Sequence, residues 1–223
     1  MGGMRPDAVI FDLDGTLVDS APDIQRALNF VLEADGVAAL DLASVGLMIG
    51  GGPQVLIERA LRKHGIATTV DRVNRLTTSF GNSYSKQGNK LTRLYPGART
   101  CLSQLRQQGM SVGLCSNKPE PICETLLCDL GIREFFDVIQ GSGSGLPVKP
   151  DPAPLLATIC GLGSTKEHAL YVGDSKTDVD TARAAGIRVV LVRSGYTATP
   201  ADTLGADRVV DGLRDIPAAL RLD

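Results

Sequence analysis

Residues 9–20 read Val9-Ile10-Phe11-Asp12-Leu13-Asp14-Gly15-Thr16-Leu17-Val18-Asp19-Ser20, and this stretch decides the fold. A short apolar run ends at Asp12, and Asp14 follows two residues later. Because side chains on a strand alternate with a period of two, both carboxylates lean to the same side of the strand end. Two carboxylates about 4 Å apart repel by about 4 kcal/mol at an intermediate dielectric. The pattern therefore predicts a cation or a proton between them, unless the acids belong to an ordinary polar turn.

Length and charge limit the classes of function. The chain has 223 residues, of which 43% are hydrophobic and 22% charged, and its formal net charge is −2. These values are typical of one large globular domain, or of a domain with an insertion. The sequence contains no block of lysines or arginines, so we expect neither nucleic acid nor a membrane surface as a partner.

The cysteines indicate a reducing compartment. There are five of them, with no Cys-x-x-Cys pair and only two histidines, so a zinc site is not expected. The odd number, together with the short polar start Met1-Gly2-Gly3-Met4-Arg5-Pro6, predicts a cytoplasmic protein without a secretory leader. No apolar run approaches membrane-spanning length. Whether the chain is a monomer or a homodimer stays open.

From Pro96 onward, helical and strand patterns alternate. This alternation predicts a Rossmann-like α/β fold, a doubly wound parallel sheet with helices on both faces and ligands at the carboxyl ends of the strands. The predicted strands are Ser111–Cys115, Val138–Ile139, Ala169–Val172, Arg188–Val192 and Arg208–Val210. The predicted helices are Ala98–Gln108, Pro121–Leu130, Pro152–Cys160, Val179–Ala185 and Leu213–Leu222.

Residues from Leu17 to Arg93 interrupt this alternation with helical patterns alone. Ser20 is predicted to cap the first helix, with Pro22 in its first turn and Asp23 at the third position. We interpret the stretch as an all-helical cap domain, 17–93, inserted into a catalytic core formed by 1–16 and 94–223.

Three further strand ends carry polar groups. Ser116 and Asn117 follow the first of these strands, just before a helix whose N-terminus favours anions. Lys149 stands between two prolines, which hold it in an extended segment. Asp174 ends a later strand, and Asp178 follows one helical turn on. Each group has an ordinary alternative: a helix cap, a surface lysine, or a capping acid with a solvated neighbour.

Taken together, these stretches resemble a known family. The Asp-x-Asp-Gly-Thr pattern resembles the nucleophile motif of the haloacid dehalogenase superfamily, and FDLDGTLVDSAPD is most similar to its phosphoglycolate phosphatase members. IGGGPQVLIERAL, LPVKPDPAPLL and YVGDSKTDVDTARAAG are similar to the same group, so the resemblance covers nearly the full length. One departure is that related sequences often have two lysines in the third motif, where Lys149 is the only candidate here.

The resemblance implies an Mg²⁺-dependent phosphomonoesterase acting on a small phosphorylated metabolite. Asp12 would attack phosphorus and form an aspartyl-phosphate, and Asp14 would act as general acid and then base. Mg²⁺ would be held by the Asp12 carboxylate, the Asp14 carbonyl and Asp174, with Asp178 binding directly or through water.

The phosphate itself would be bound by Ser116, the backbone N–H of Asn117, and Lys149. Lys149 alone does not offset a phosphate dianion together with ionised acids, so charge accounting also requires a divalent ion. A haloacid dehalogenase needs no second acid, and Asp14 therefore disfavours that activity.

The substrate is the least determined feature. Gly50, Gly51 and Gly52 precede Pro53 at a predicted helix start, so they form either an anion site for the carboxylate of 2-phosphoglycolate or a flexible hinge loop. The resemblance favours 2-phosphoglycolate. A sugar phosphate, pyrophosphate, a β-phosphoglucomutase-like mutase reaction and a non-catalytic phosphate-binding module are the alternatives.

Overall fold

The chain forms two compact units in the computed structural model, which describes residues 6–220. The first unit comprises 6–19 and 93–220, and the second is Ser20–Thr92. The helices and strands follow in this order: β1 (Ala8–Phe11), β2 (Val18–Asp19), α1 (Ala21–Ala34), α2 (Leu42–Gly46), α3 (Gly52–Lys63), α4 (Val70–Gln87), β3 (Arg93–Leu94), α5 (Ala98–Gln107), β4 (Ser111–Pro119), α6 (Glu120–Asp129), β5 (Val138–Ser142), α7 (Ala153–Gly161), β6 (Ala169–Gly173), α8 (Lys176–Ala185), β7 (Arg188–Val192), β8 (Arg208–Val210) and α9 (Ile216–Ala219).

A six-stranded sheet forms the centre of the first unit. Its strand order is β5-β4-β1-β6-β7-β8, and every neighbouring pair is parallel. β1 lies in the middle, with all four of its residues buried. The predicted fold class, a parallel α/β sheet with helices, is confirmed.

Apolar cores cover both faces of this sheet. Val9 and Phe11 of β1 belong to a core that includes side chains of α5, α6 and α9. Ile10 points to the other face, where α7 and α8 contribute to a second core. Full burial of a large apolar side chain contributes about 1.5–3 kcal/mol, so the two cores fix β1 from both sides. A rigid β1 gives the acids that follow it a fixed position.

A two-stranded antiparallel sheet joins the ends of the first unit's two segments. β2 pairs with β3 through Val18 with Leu94 and Asp19 with Arg93. The N–H of Tyr95 also donates to the carbonyl of Leu17 at 3.0 Å. The stretch predicted to be helical from Leu17 to Arg93 is shorter in the structure, because Val18–Asp19 and Arg93–Leu94 pair as strands.

The second unit is built from α1 to α4. α1 packs against α2 and α4, and α3 packs against α4. Its fully or almost fully buried side chains include Leu28 and Leu32 of α1, Ile57 and Leu61 of α3, and Leu76 of α4. Their spacing of three or four residues along each helix is that of an amphipathic helix facing a core.

Asp23 has a different role from the one its position in α1 predicts. Ser20 is the N-cap residue, but its side chain makes no capping hydrogen bond. The buried Asp23 carboxylate instead accepts hydrogen bonds from the N–H groups of Leu91 and Thr92, at 2.9 and 2.7 Å. Ser20 as the N-cap residue, with Pro22 and Asp23 in the first turn, is thus confirmed, and the acid fastens the end of the second unit to its first helix.

Other element bounds differ in ways that matter for the site. β4 continues to Pro119, with a register irregularity after Cys115, and α8 begins at Lys176 rather than Val179. The predicted helix Leu213–Leu222 is a 3-10 turn at Leu213–Asp215 followed by α9. Residues 221 and 222 of that prediction lie outside the described residues.

Candidate active site

Asp12 lies at the carboxyl edge of the sheet, directly after β1. Its N–H donates to the carbonyl of Val172 at 2.9 Å, so it continues the pairing with β6. The register sets Phe11 beside Leu114 of β4 and Val172 of β6. The last residues of β4 and the residues that follow β6 therefore meet Asp12, which is itself only 7% exposed.

Lys149 connects the acids of this edge. Its Nζ lies 2.7 Å from Oδ1 of Asp12 and 2.8 Å from Oδ1 of Asp178. A third bond, of 2.7 Å, joins it to the hydroxyl of Tyr171. The side-chain amide of Asn117 holds the Lys149 backbone, donating to its carbonyl at 2.9 Å and accepting from its N–H at 2.8 Å. Lys149 is thus held both at its ammonium group and at its backbone.

Asp174 follows β6 and is almost fully buried. Its Oδ1 accepts a hydrogen bond from the Thr16 hydroxyl at 2.9 Å, and its Oδ2 accepts one from the N–H of Tyr196 at 2.8 Å. Two different loops therefore set the orientation of this carboxylate.

Asp178 is buried and uses both oxygens in hydrogen bonds. Oδ2 accepts from the N–H and hydroxyl of Ser175, at 3.1 and 2.7 Å, and from the N–H of Asp174 at 3.2 Å. Oδ1 accepts from Lys149 and lies 3.0 Å from the Tyr171 hydroxyl. Asp178 therefore caps α8 and faces the same site as Asp12, so capping and participation in the site are combined.

The buried charges strongly perturb one another. Burial raises the pKa of Asp12 to about 7, although the nearby Lys149 charge opposes the rise. Burial, with repulsion from Asp178 and Asp12, raises the pKa of Asp174 well above its usual value. Burial acts in the same direction on Asp178, but the Lys149 charge together with hydrogen bonds from Lys149, Ser175 and Tyr171 outweighs it and lowers the pKa of Asp178. Burial opposes the charge of Lys149, yet Asp12 and Asp178 raise its pKa and keep it an ammonium.

The three carboxylates form a cluster suited to a cation. One ligand oxygen from each of Asp12, Asp174 and Asp178 lies within 4.8 Å of the others. A single ammonium, Lys149, stands against these three acids. Two negative charges are left uncompensated when all three acids ionise, and hard oxygen donors of this kind suit a divalent cation. The chemistry of the donor set therefore fits Mg²⁺.

Three glycines make room for these acids. A Cβ at Gly15, where φ is +93°, would lie 2.5 Å from Oδ2 of Asp174. A Cβ at Gly195 would overlap the side chain of Asp174, and one at Gly173 would overlap that of Asp178. A side chain at any of the three positions would therefore require the neighbouring carboxylate to move.

Lys118 is the main site residue that sequence reasoning missed. Its Nζ lies 3.0 Å from both carboxylate oxygens of Asp14, and the two side chains are 7% and 13% exposed. The charge accounting treated Lys149 as the only cation, and that was wrong because the last residues of β4 supply a second one. The run Ser116-Asn117-Lys118 contained the signal, but nothing in it indicated which way Lys118 points.

Thr16, Tyr171 and Tyr196 were also missed. Thr16 stands inside the Asp-x-Asp-Gly-Thr pattern, so its position was a usable signal. Tyr171 occupies a strand interior, where an aromatic residue indicates a core position. Tyr196 lies in a loop with no motif, and its hydroxyl also donates to Asp19 at 2.6 Å.

The remaining predicted residues lie in two places. Ser116 is buried at the same sheet edge, and its hydroxyl accepts a hydrogen bond from the N–H of Lys118 at 3.3 Å. Gly50, Gly51 and Gly52 belong to the second unit, where α3 begins. Gly50 and Gly52 have φ of +106° and +84°, and a Cβ at Gly51 would lie 2.7 Å from Val55. The loop's own conformation thus accounts for these glycines without any ligand.

Comparison with known proteins identifies the family. The model of the family described as haloacid dehalogenase-like hydrolase matches residues 9–192. A protein of Cereibacter sphaeroides named phosphoglycolate phosphatase is 42% identical over 213 residues, which cover 96% of this chain and 97% of that protein. One of Rhodospirillum rubrum with the same name is 41% identical over 210 residues, 92% of this chain and 87% of that protein. The chain belongs to the haloacid dehalogenase-like hydrolase family.

Solved structures agree with this assignment. A crystal structure from Haemophilus somnus, described as a predicted phosphoglycolate phosphatase, superposes with a TM-score of 0.90 at 30% identity. The match covers 99% of this chain and all of the other. These findings confirm the predicted family resemblance and the prediction that the chain is an enzyme of the phosphatase class. Among residues 6–220, no helix has the length and apolar character needed to span a membrane.

Proposed function

We propose that the chain is an Mg²⁺-dependent phosphomonoesterase that hydrolyses 2-phosphoglycolate to glycolate and phosphate through an aspartyl-phosphate. The observation that carries this proposal is the buried Asp12 carboxylate, held by Lys149 through Oδ1 at 2.7 Å beside Asp174 and Asp178. Three acids and one ammonium around a strand end are poorly explained as structure alone, because buried uncompensated charge is costly.

The covalent steps use the two acids after β1. Oδ2 of Asp12 would attack phosphorus in line, forming the new P–O bond while the bond to the ester oxygen breaks. Asp14 would give its proton to the departing alkoxide. It would then take a proton from the water that attacks the aspartyl-phosphate, which releases phosphate and restores both acids. Such acid–base assistance contributes about 10²–10⁴ in rate.

Phosphate binding would rest on residues in the last part of β4 and on Lys149. The Ser116 hydroxyl, the N–H of Asn117 and the Lys149 ammonium would contact the transferring oxygens. The Asn117 side chain holds the Lys149 backbone in place, so its amide has a positioning role. Lys149 would stabilise charge on phosphorus while it neutralises Asp12 and Asp178.

The metal would be held by the Asp12 carboxylate, the Asp14 carbonyl and Asp174. Both oxygens of Asp178 already accept hydrogen bonds, which favours contact through water. When bound, Mg²⁺ supplies positive charge that offsets the phosphate and the acids. Thr16 and Tyr196 would keep Asp174 oriented toward it.

Replacing Gly195 tests how tightly Asp174 is held. In Gly195→Ala the new Cβ would occupy the space of the Asp174 side chain, so the carboxylate must move. We expect the Mg²⁺ concentration for half-maximal activity to rise about 10–100-fold, as when an outer-shell contact to a metal site is lost. Gly212→Ala is the matched control, because a Cβ at Gly212 meets nothing within 4 Å. Equal Mg²⁺ requirements in the two variants would contradict the role given to Asp174.

For the domains, we propose that the first unit is catalytic and that the second is its cap, divided from the core near residues 19 and 93. The names of the relatives support 2-phosphoglycolate as the substrate. We further propose a cytoplasmic location, which the five free cysteines support.

A substrate panel tests the proposed activity. Phosphate release should be measured with 2-phosphoglycolate, ethyl phosphate, glucose 1-phosphate and pyrophosphate, all with Mg²⁺. We expect kcat/KM for 2-phosphoglycolate to exceed that for ethyl phosphate at least about tenfold, the value of one charge-assisted contact. Faster hydrolysis of glucose 1-phosphate or pyrophosphate would refute the choice of substrate. Conversion of glucose 1-phosphate to an isomer without phosphate release would instead identify a mutase.

A further inference from the structure

Lys118 is a buried cation that the proposed chemistry leaves without a task. Its side chain is 7% exposed, and its ammonium lies 3.0 Å from both oxygens of Asp14. Its N–H donates to the Ser116 hydroxyl at 3.3 Å, so the residue belongs to the same edge as the phosphate-binding groups. A buried ion pair adds little stability compared with apolar residues of the same volume. A role in binding is therefore the better explanation for a charge at this position.

The position of Asp14 locates Lys118 relative to the substrate. In the proposed reaction the Asp14 carboxyl contacts the leaving oxygen. A cation that touches both Asp14 oxygens then lies beside the first atoms of the leaving group. In 2-phosphoglycolate the carboxylate is attached to the carbon that bears this oxygen, which places its oxygens about 3–4 Å from the ester oxygen. The substrate's only other charged group is thus within reach of Lys118.

We propose that Lys118 binds the carboxylate of the substrate and that Asp14 is released from Lys118 in the exchange. This proposal rests on the proposed function and names the group in the first unit that recognises the acid. One carboxylate replaces another on the ammonium, so Lys118 stays paired and the charge of the pair is conserved. Asp14, released from the ammonium, takes a proton from solvent and turns to the leaving oxygen, to which it gives that proton. A phosphate ester without a carboxylate leaves Lys118 on Asp14, so the carboxylate raises kcat as well as lowering KM.

The decisive experiment compares Lys118→Met with the wild-type enzyme on 2-phosphoglycolate and ethyl phosphate. Methionine keeps much of the stem length and removes the charge. We expect the ratio of kcat/KM values to fall from at least about tenfold to near unity, because one charge-assisted contact is lost. The loss should fall on 2-phosphoglycolate, whereas hydrolysis of ethyl phosphate should not fall, because the variant frees Asp14 from the ion pair that this ester leaves in place. Lys118→Arg should restore most of the preference, and Lys166→Met, at an exposed lysine of the same unit, should leave both substrates unaffected.

Each alternative outcome has a definite meaning. Equal losses on both substrates would overturn the proposal and leave Lys118 as a residue that only positions Asp14. An unchanged ratio would also overturn it and would assign carboxylate recognition to another group, such as the N–H groups of residues 50–52. A wild-type enzyme without any preference for 2-phosphoglycolate would refute the proposed substrate itself.

A second measurement uses only the wild-type enzyme, so its result does not depend on the stability of Lys118→Met. The phosphate ester of 3-hydroxypropanoate carries its carboxylate one methylene further from the ester oxygen. With the wild-type enzyme we expect its kcat/KM to fall at least about tenfold below that of 2-phosphoglycolate, since the carboxylate overshoots a fixed ammonium. Equal values for the two acids would overturn the assignment of Lys118.

Discussion

Asp12→Asn should abolish both turnover and covalent phosphorylation, whereas Asp14→Asn should slow the two chemical steps and leave a residual phosphoenzyme. Asp12 would supply the attacking oxygen, and removal of a nucleophile costs about 10⁴-fold or more in kcat. Asp14 would supply only proton transfer, worth about 10²–10⁴-fold. Rapid-quench experiments with a radiolabelled phosphate ester would measure phosphoenzyme formation and breakdown separately.

The structure supplies a control for folding in Asp12→Asn. In Asp12→Asn the Lys149 ammonium keeps its bonds to Asp178 and Tyr171. Burial already raises the pKa of Asp12 to about 7, so a neutral amide at this position should not destabilise the fold. Urea unfolding should therefore show near wild-type stability. Phosphoenzyme in Asp12→Asn, or equally mild losses in the two variants, would contradict these roles.

Leaving-group dependence separates the two acids further. A good leaving group such as p-nitrophenolate needs no proton, so Asp14→Asn should lose less activity on p-nitrophenyl phosphate than on an alkyl phosphate. Asp12→Asn should be equally inactive on both. The comparison distinguishes general acid catalysis from a purely structural role of Asp14, for example as the partner of Lys118.

The sheet edge could be predicted from the sequence because parallel strands end together. Once β1, β4 and β6 are recognised, the register of Phe11 with Leu114 and Val172 brings the following polar residues together. The positions of Asp12 and Asp174 then follow from the positions of the strand ends. Apolar runs and strand ends contain this information, and they are local features of the sequence.

The orientation of Lys118 could not be predicted in the same way. The pairing of β4 with β5 shifts register between Cys115 and Pro119, so the alternation of side chains no longer tells which way Lys118 points. The partners of Asp23 could not be predicted for a related reason, since Leu91 and Thr92 are distant from it in the sequence.

Contacts between distant loops are likewise absent from local patterns. Tyr196 reaches Asp174 from a loop after β7, and the same loop brings Gly195 against the Asp174 side chain. Neither residue stands in a periodic stretch or a recognisable motif. Only the folded structure shows that a side chain at Gly195 would displace a carboxylate more than twenty residues away in the chain.

Removal of divalent metal should abolish turnover and lower the thermal stability of the protein, and Mg²⁺ should restore both. Asp12, Asp174 and Asp178 lie close together with one ammonium between them, so without a cation the ionised acids repel one another. A cation that binds only the folded state adds about 2.7 kcal/mol at one hundred times its Kd, which a thermal melt measures as a higher Tm. Ca²⁺ should also raise Tm but support little turnover, because its larger and looser ligand shell misplaces the nucleophile.

The variant Asp174→Asn tests whether the metal binds at the cluster of Asp12, Asp174 and Asp178. An amide keeps the shape of the side chain: its oxygen can accept from the N–H of Tyr196, and the Thr16 hydroxyl can rotate to accept from its NH₂. The raised pKa of Asp174 means that its ionised form disfavours the folded state near neutral pH, where an unfolded aspartate is charged. In chelator the variant should therefore melt at or above the wild-type Tm, and Mg²⁺ should raise its Tm far less. Full activity of the wild-type enzyme in chelator, or an equal Mg²⁺-induced rise in Tm for both proteins, would disprove a metal site at these acids.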